Sequence, residues 1–357
     1  MSAPELNREV SQALDARRGA LAAAVTERQF EARPDLLERY GERGRHHCHK
    51  DAEYHLSYLA DSIASDSPAL FADYVDWARV MLSSRGIPAG DLASNLEILC
   101  EVLRRELPGE PGEVASEYVA AGLRSLGRTA APVPEEAGTP AEPLDELFQP
   151  YLESLLEGRR QEASRMIQRA VEDGVSVKDV YLHVFQRSQY EIGRRWQTNR
   201  LSVAQEHYCT AATQLIMSQL YPYIFSTEKN GLALVGSCVA GDLHEIGVRM
   251  VSDFFEMEGW DTFYLGANTP TTDLIRTLEE RDADVLAVSA TMAFHVRAVT
   301  DLIAAVRSRL DGVKVLVGGY PFNVDPDLWR RIGADGSARD AQEAIELAKR
   351  LVEESRR

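Results

Sequence analysis

Cysteine is scarce in this 357-residue chain: Cys48, Cys100, Cys209 and Cys238 lie far apart, and no Cys-x-x-Cys pair occurs. That spacing argues against a disulfide framework and a structural zinc site. Long apolar runs are missing as well, since no stretch approaches the ~18 residues that a membrane-spanning helix needs. Basic charge is in short supply, with 39 Lys and Arg against 56 Asp and Glu for a net charge of −17. Residues 1–140 alone carry 15 basic and 23 acidic side chains. Phosphate backbones repel such a surface, so direct nucleic-acid binding is not expected. The opening Met1-Ser2-Ala3-Pro4-Glu5 lacks the basic-then-apolar pattern of a signal peptide, so the expectation is a cytoplasmic protein away from membranes. Its 45% hydrophobic and 27% charged residues are ordinary for a globular protein, and the length suits two or three domains.

One segment stands out by composition. Residues 127–144 hold Pro132, Pro134, Pro140 and Pro143 with Gly127 and Gly138 and little that is apolar, which reads as a semi-rigid linker. Residues 1–126 before it read as an all-helical domain. Leu56, Leu59 and Ile63 are helically spaced, Ser67-Pro68 looks like a helix start, and Leu92, Leu96, Leu99 and Leu103 mark one face of a helix over about 89–107. Residues 145–228 read as a four-helix bundle, with Ser176 and Asp179 spaced as a capping box.

From residue 229 to 357 the pattern changes. The short apolar runs at 232–236, 285–288 and 313–317 alternate with amphipathic stretches. Strands alternating with helices make a doubly wound parallel sheet of the Rossmann-like or flavodoxin-like kind. The expected fold class is therefore α/β plus all-α. Such sheets bind ligands beyond the C-terminal ends of their strands. The residues just after these runs are Ser237 to Gly247, Ser289 to Thr291, and Gly318-Gly319.

The first of these loops contains Gly241-Asp242-Leu243-His244-Glu245-Ile246-Gly247. A neutral imidazole is a good ligand for a late first-row metal. A carboxylate two residues earlier can hold its other ring nitrogen, fixing the tautomer and raising its basicity. Gly247 and the Gly318-Gly319 pair leave bare backbone where something bulky can approach. Asp-x-His-x-x-Gly after the first strand, a serine after the third and Gly-Gly after the fourth resemble the cobalamin-binding domains that take the cofactor base-off with histidine on cobalt. The resemblance covers about 231–357. It implies His244 as the lower axial cobalt ligand, Asp242 as its partner, and Ser289, Gly318 and Gly319 lining a slot for the nucleotide tail. Ser237, Leu243, Gly247 and Thr291 are neighbours, and Gly336 belongs to the last strand and turn.

The helical bundle at 145–228 matches in size and position a cap over the upper face of the corrin. Within it Trp196 is followed, after nine residues, by Glu206-His207, with Val203 one turn earlier. This spacing resembles the cap of adenosylcobalamin-dependent photoreceptors. One departure is that Gln197 stands where those DNA-binding photoreceptors have a histidine that takes cobalt after photolysis. In the N-terminal block, Arg45, His46, His47, Cys48 and His49 precede Tyr54 and Tyr58. They form a candidate site for a linear tetrapyrrole, and the whole order of domains is similar to photocobilins, which combine cobalamin with biliverdin.

The leading expectation is thus a signalling photoreceptor and not an enzyme. In it, light cleaves the Co–C bond of adenosylcobalamin and changes homo-oligomeric assembly or contact with an effector protein, with biliverdin as second chromophore. The alternative is a corrinoid methyl carrier of a methyltransferase system, which shares His244, Asp242 and the cap. A third reading, a subunit of an adenosylcobalamin-dependent mutase, needs a substrate barrel from a partner.

Overall fold

A computed structural model describes residues 3–127 and 143–356. The linker expected over 127–144 lies largely outside them. The described residues confirm the fold class, helices followed by an α/β sheet. They divide into two compact units.

The first unit begins with α1 (Ala3–Ala32), α2 (Asp35–Ala64), α3 (Pro68–Ser83), α4 (Ala89–Glu106) and α5 (Glu110–Leu126). Amphipathic helices need a shared apolar interior, and here Leu14, Leu21, Leu56, Leu59, Ile63 and Phe71 provide it, all fully buried. Gly41 interrupts α2 with φ 62° and ψ −170°, a left-handed region that only glycine enters without strain. Ser67 precedes α3 as the spacing predicts, but its hydroxyl does not cap the helix. It donates to Asp325 at 2.5 Å instead. The same unit takes in residues 290–304 and 319–334.

The second unit holds the bundle and the sheet. Its helices are α6 (Asp145–Leu156), α7 (Arg160–Glu172), α8 (Val177–Val180), a π-helical turn (Tyr181–Gln186), α9 (Arg187–Gln197), α10 (Val203–Gln219) and α11 (Tyr221–Ile224). Ser176 caps α8, accepting from the Asp179 amide at 3.0 Å. Ser202 and Gln205 cap α10 reciprocally, so both helix starts satisfy backbone donors that would otherwise be orphaned.

The sheet follows, with β1 (Ala233–Cys238), α12 (Ile246–Met257), β2 (Asp261–Gly266), α13 (Thr271–Glu280), β3 (Val285–Ser289), α14 (Val296–Arg307) and β4 (Lys314–Gly318). Short helices α15 (Tyr320–Val324) and α16 (Leu328–Arg331) lead to β5 (Gly336–Ser337) and α17 (Ala341–Ser355). All strands are parallel in the order β2-β1-β3-β4-β5. The chain leaves β1 for one edge and returns past it to β3, which creates a switch point above β1 and β3.

Bundle and sheet share one core. Tyr151, Tyr181 and Phe185 from the bundle and Phe254, Phe255 and Trp260 from the sheet side are fully buried in a single cluster. The Tyr181 hydroxyl donates to Asp253 of α12 at 2.7 Å. Glu258 accepts from Lys178 of α8 at 2.6 Å and from Lys349 of α17 at 2.5 Å. The bundle is therefore fastened to the sheet by apolar packing, by the buried Tyr181–Asp253 contact and by the part-buried Lys178–Glu258 pair.

Candidate functional site

The loop between β1 and α12 sits at the switch point. It is pinned on both sides. The Val239 amide donates to the Ser289 carbonyl at 3.1 Å, the Gly241 amide to the Asn268 side chain at 2.8 Å, and the Asn268 amide to the Asp242 carbonyl at 3.0 Å. Gly241 takes φ 90°, which turns the chain without a clash.

Asp242 is completely buried. Its Oδ1 accepts from the His244 amide at 3.0 Å and contacts His244 Nδ1 at 2.7 Å. A carboxylate at Nδ1 places the proton there and leaves the Nε2 lone pair outward. The His244 side chain is 58% exposed, so that lone pair is accessible. Asp242's hydrogen bond, and less strongly the charges of Asp242 and Glu206, raise the His244 pKa above the usual imidazole value against the opposing effect of burial.

Glu245 ties this loop to the bundle. One oxygen accepts from Gln214 of α10 at 2.7 Å and the other from the Ala267 amide at 3.0 Å. Arg249 of α12 donates to the Gln214 carbonyl at 3.1 Å and to the Ser218 hydroxyl at 2.7 Å. Sequence reading did not single out Gln214, Glu245, Arg249 or Asn268. Only Glu245, inside the motif itself, carried a signal that could have drawn notice.

On the bundle side, Trp196 lies in the last turn of α9, and Val203, Glu206 and His207 lie in the first turns of α10. Glu206 pairs with His207 at 3.5 Å and accepts from Thr210 at 2.9 Å. Thr210 donates to Gln189 at 3.2 Å, Gln189 donates to Thr213 at 3.0 Å, and Thr213 meets the buried Tyr151 hydroxyl at 2.9 Å. This chain of hydrogen bonds runs from the core to Glu206. Val203 and Leu243 expose apolar side chains, at 51% and 71%.

Other expected residues divide by what they touch. Cys238, Ser289 and Gly318 stand in register across the C-terminal edge of β1, β3 and β4. Gly247 has open space where a Cβ would project. The Ser237 hydroxyl is fully buried and donates to the Cys238 carbonyl at 2.9 Å, so it serves the loop's own backbone. Gly336 lacks a Cβ because Leu347 occupies that space. Thr291 and Gly319 belong to the first unit, where a Cβ on Gly319 would lie 2.1 Å from the Ala290 carbonyl oxygen.

The residues fit a corrinoid. Among the described residues no group of three or more His, Cys, Asp or Glu could enclose a bare ion. The exposed Leu243 and the open face at Gly247 suit a broad apolar macrocycle.

Arg45 to Tyr58 lie along one helix, α2, and its turns spread them around the axis. His46, His47 and Tyr54 are exposed, His49 pairs with Glu53 at 3.7 Å, and Tyr58 is buried against Tyr74. Burial pushes the Cys48 thiol up to about 11, which keeps it protonated and unreactive near neutral pH.

Comparison with known proteins agrees with the geometry. The family described as "B12 binding domain" matches residues 232–346, and a second family of the same description matches 147–221. Dimethylamine corrinoid protein 3 of Methanosarcina acetivorans is 36% identical over 131 residues, covering 35% of this chain and 59% of that one. Its namesake in Methanosarcina mazei is 30% identical over 170 residues, covering 45% of this chain and 98% of the relative. The structure of the Methanosarcina barkeri monomethylamine corrinoid protein is 21% identical with a TM-score of 0.52, covering 59% of this chain and 99% of that one, a likeness of fold. The chain belongs to the B12-binding corrinoid protein family.

These findings overturn the photoreceptor expectation. The relatives are named as corrinoid proteins of methylamine systems, and none of those named is a light sensor. The bundle that holds Trp196 and Glu206-His207 lies within a general B12-binding match, so their spacing does not call for an adenosyl group. Photocobilin membership, biliverdin, signalling and light-dependent assembly are withdrawn with it.

Proposed function

We propose that this chain is a corrinoid methyl carrier that works between methyltransferases and is not itself an enzyme. The observation that carries its corrinoid binding is the His244 imidazole held by Asp242 at 2.7 Å with its other nitrogen outward. The names of the relatives support it, since they are corrinoid proteins of dimethylamine and monomethylamine systems.

His244 would hold the cobalt and Asp242 would fix its tautomer. Ser289 and Gly318-Gly319 would line the slot for the nucleotide tail. Leu243 and Gly247 would meet the macrocycle, with Trp196, Val203 and Glu206-His207 covering its upper side. When bound, the corrinoid cobalt supplies a nucleophile that accepts a methyl group and passes it to an acceptor. The chain's part is to bind and orient the cofactor, keep water from its upper side, and open to a partner. Partner methyltransferases would supply substrate specificity, a methylated amine being the class suggested by the relatives' names. Among the described residues all four cysteines are free, which supports a reducing, cytoplasmic setting.

The test is to load the purified chain with hydroxocobalamin, reduce it, and offer iodomethane followed by a thiol acceptor. Stoichiometric uptake and release of the methyl group is expected. A loaded, reduced protein that takes up no methyl group would sink the proposal.

A further inference from the structure

The loops that follow β3 and β4 are not free surface segments. Both lie in the first unit with the N-terminal helices, and three separate sets of contacts fasten them there. Phe294, in the turn Ala293–His295 after β3, sets its ring edge-on to Tyr58 at 5.4 Å. Tyr58 in turn stacks on Tyr74 at 3.8 Å. Arg297, just beyond, pairs with Asp15 of α1 at 2.7 Å and Asp61 of α2 at 3.5 Å, and donates to Ser11 at 3.2 Å. After β4, Tyr320 donates to Asp73 of α3 at 2.9 Å. Asp325 accepts from Ser67, and Arg331 pairs with Asp325 and donates to the Ser65 carbonyl at 3.3 Å.

The two loops also touch each other. Gly319, at φ 104°, lies so close to the Ala290 carbonyl that a Cβ would overlap it. Ala290 follows Ser289 directly, and Gly319 follows Gly318. The anchors therefore act on residues covalently adjacent to the proposed tail slot. Surface loops are ordinarily mobile, and ordering them on binding costs free energy. Loops already ordered by α1, α2 and α3 avoid that cost.

We propose that the N-terminal helical block is a clamp on these two loops and sets how long the nucleotide tail of the corrinoid stays bound. Phe294, Arg297 and Tyr320 are its positioning residues. The B12-binding matches begin at residue 147, so the block is additional to them and this is the work it does. The proposal rests on reading Ser289 and Gly318-Gly319 as the tail slot.

The experiment compares release of hydroxocobalamin with release of cobinamide, a corrinoid lacking the nucleotide tail, from the full chain. Wild type is set against the double variant Arg297→Gln, Tyr320→Phe and the single variant Phe294→Leu, with melting temperatures recorded. Release of hydroxocobalamin about tenfold faster in the variants, with cobinamide release unchanged, is expected. Unchanged hydroxocobalamin release overturns the clamp, and so does equal acceleration of both corrinoids, which would signal general loosening. Should wild type itself release the two corrinoids at the same rate, the slot reading is what fails, and the clamp falls with it.

Discussion

Asp242 Oδ1 and His244 Nδ1 meet at 2.7 Å, and the same oxygen also accepts the His244 backbone amide at 3.0 Å. One buried carboxylate thus sets both the backbone and the ring of the residue proposed to hold cobalt. Outer partners of metal-bound histidines typically contribute ten- to a hundredfold in affinity, so Asp242→Asn should weaken hydroxocobalamin binding by about that factor. His244→Ala should remove imidazole coordination altogether. In the Co(II) state the wild-type paramagnetic spectrum should show one nitrogen splitting that changes from triplet to doublet on 15N-histidine labelling. In the cofactor-free chain, Asp242→Asn and Glu206→Gln should each lower the His244 pKa. Asp242→Asn should have the larger effect, because its hydrogen bond is the strongest of the influences raising that pKa. A nuclear magnetic resonance titration of the ring protons reads this directly.

Two glycines near the site have opposite reasons for being glycine. Gly319 is required by its own fold: at φ 104° with Ala290 pressed against it, Gly319→Ala should cost about 2–4 kcal/mol of stability. Gly247 has nothing within reach of a Cβ. Gly247→Ala should leave stability unchanged or raise it by ~0.5–1 kcal/mol. Gly247→Leu should fold normally and bind hydroxocobalamin at least about tenfold more weakly, since the bulk enters ligand space. Thermal melts and a cofactor titration on the three variants separate the two roles. Normal affinity in Gly247→Leu would remove this glycine from the site.

Much of this was legible in the sequence, and the failures have physical causes. The Ser176 cap announced α8 and helical spacing announced α4, because those signals are local, whereas the reciprocal Ser202-Gln205 cap of α10 went unread. The strands β1, β3 and β4 announced themselves as aliphatic runs because both faces are buried. The edge strand β2 did not, since Asp261-Thr262-Phe263-Tyr264-Leu265-Gly266 is only half-buried and aromatic where its neighbours are aliphatic. The His244 motif was readable because its partners lie two and three residues away. Glu245–Gln214 and the anchors on Phe294 and Tyr320 were not, because they join residues far apart in the chain. The Trp196 and Glu206-His207 spacing misled because a cap of the same build serves corrinoid proteins with different chemistry.

Tyr181 and Asp253 test how firmly the bundle is seated. Asp253 is 6% exposed, and burial raises its pKa to about 6 against the hydrogen bond from Tyr181. Tyr181→Phe removes that donor and should cost about 1–3 kcal/mol. The loss should be larger at pH 8, where Asp253 is ionised, than at pH 5, where it is protonated. Urea unfolding of the second unit at the two pH values measures it. An equal loss at both would mean that Asp253 does not change its protonation state between them.

His55 and Asp61 lie on α2 and give its stability two opposed pH dependences. His55 is 3% exposed beside the Tyr74 hydroxyl at 2.7 Å, and burial holds its pKa down at about 4 against an ordinary 6.5. The unfolded chain takes up that proton first, so stability falls as pH drops through this window, by roughly 3 kcal/mol in full. Asp61 is 2% exposed, and its pKa is raised from 3.8 to about 7 by burial and by Asp15, against Arg297, Arg18 and His295. Its contribution is complete below 3.8 and is lost as pH rises toward 7. Between about 4 and 6.5 the two nearly cancel, and wild type should show an almost flat profile. His55→Gln should unmask a stability that declines with rising pH, and Asp61→Asn one that increases. Hydrogen exchange of the α2 and α3 amides across this range reads both slopes. The same slope in the two variants would show that neither group titrates as its burial dictates.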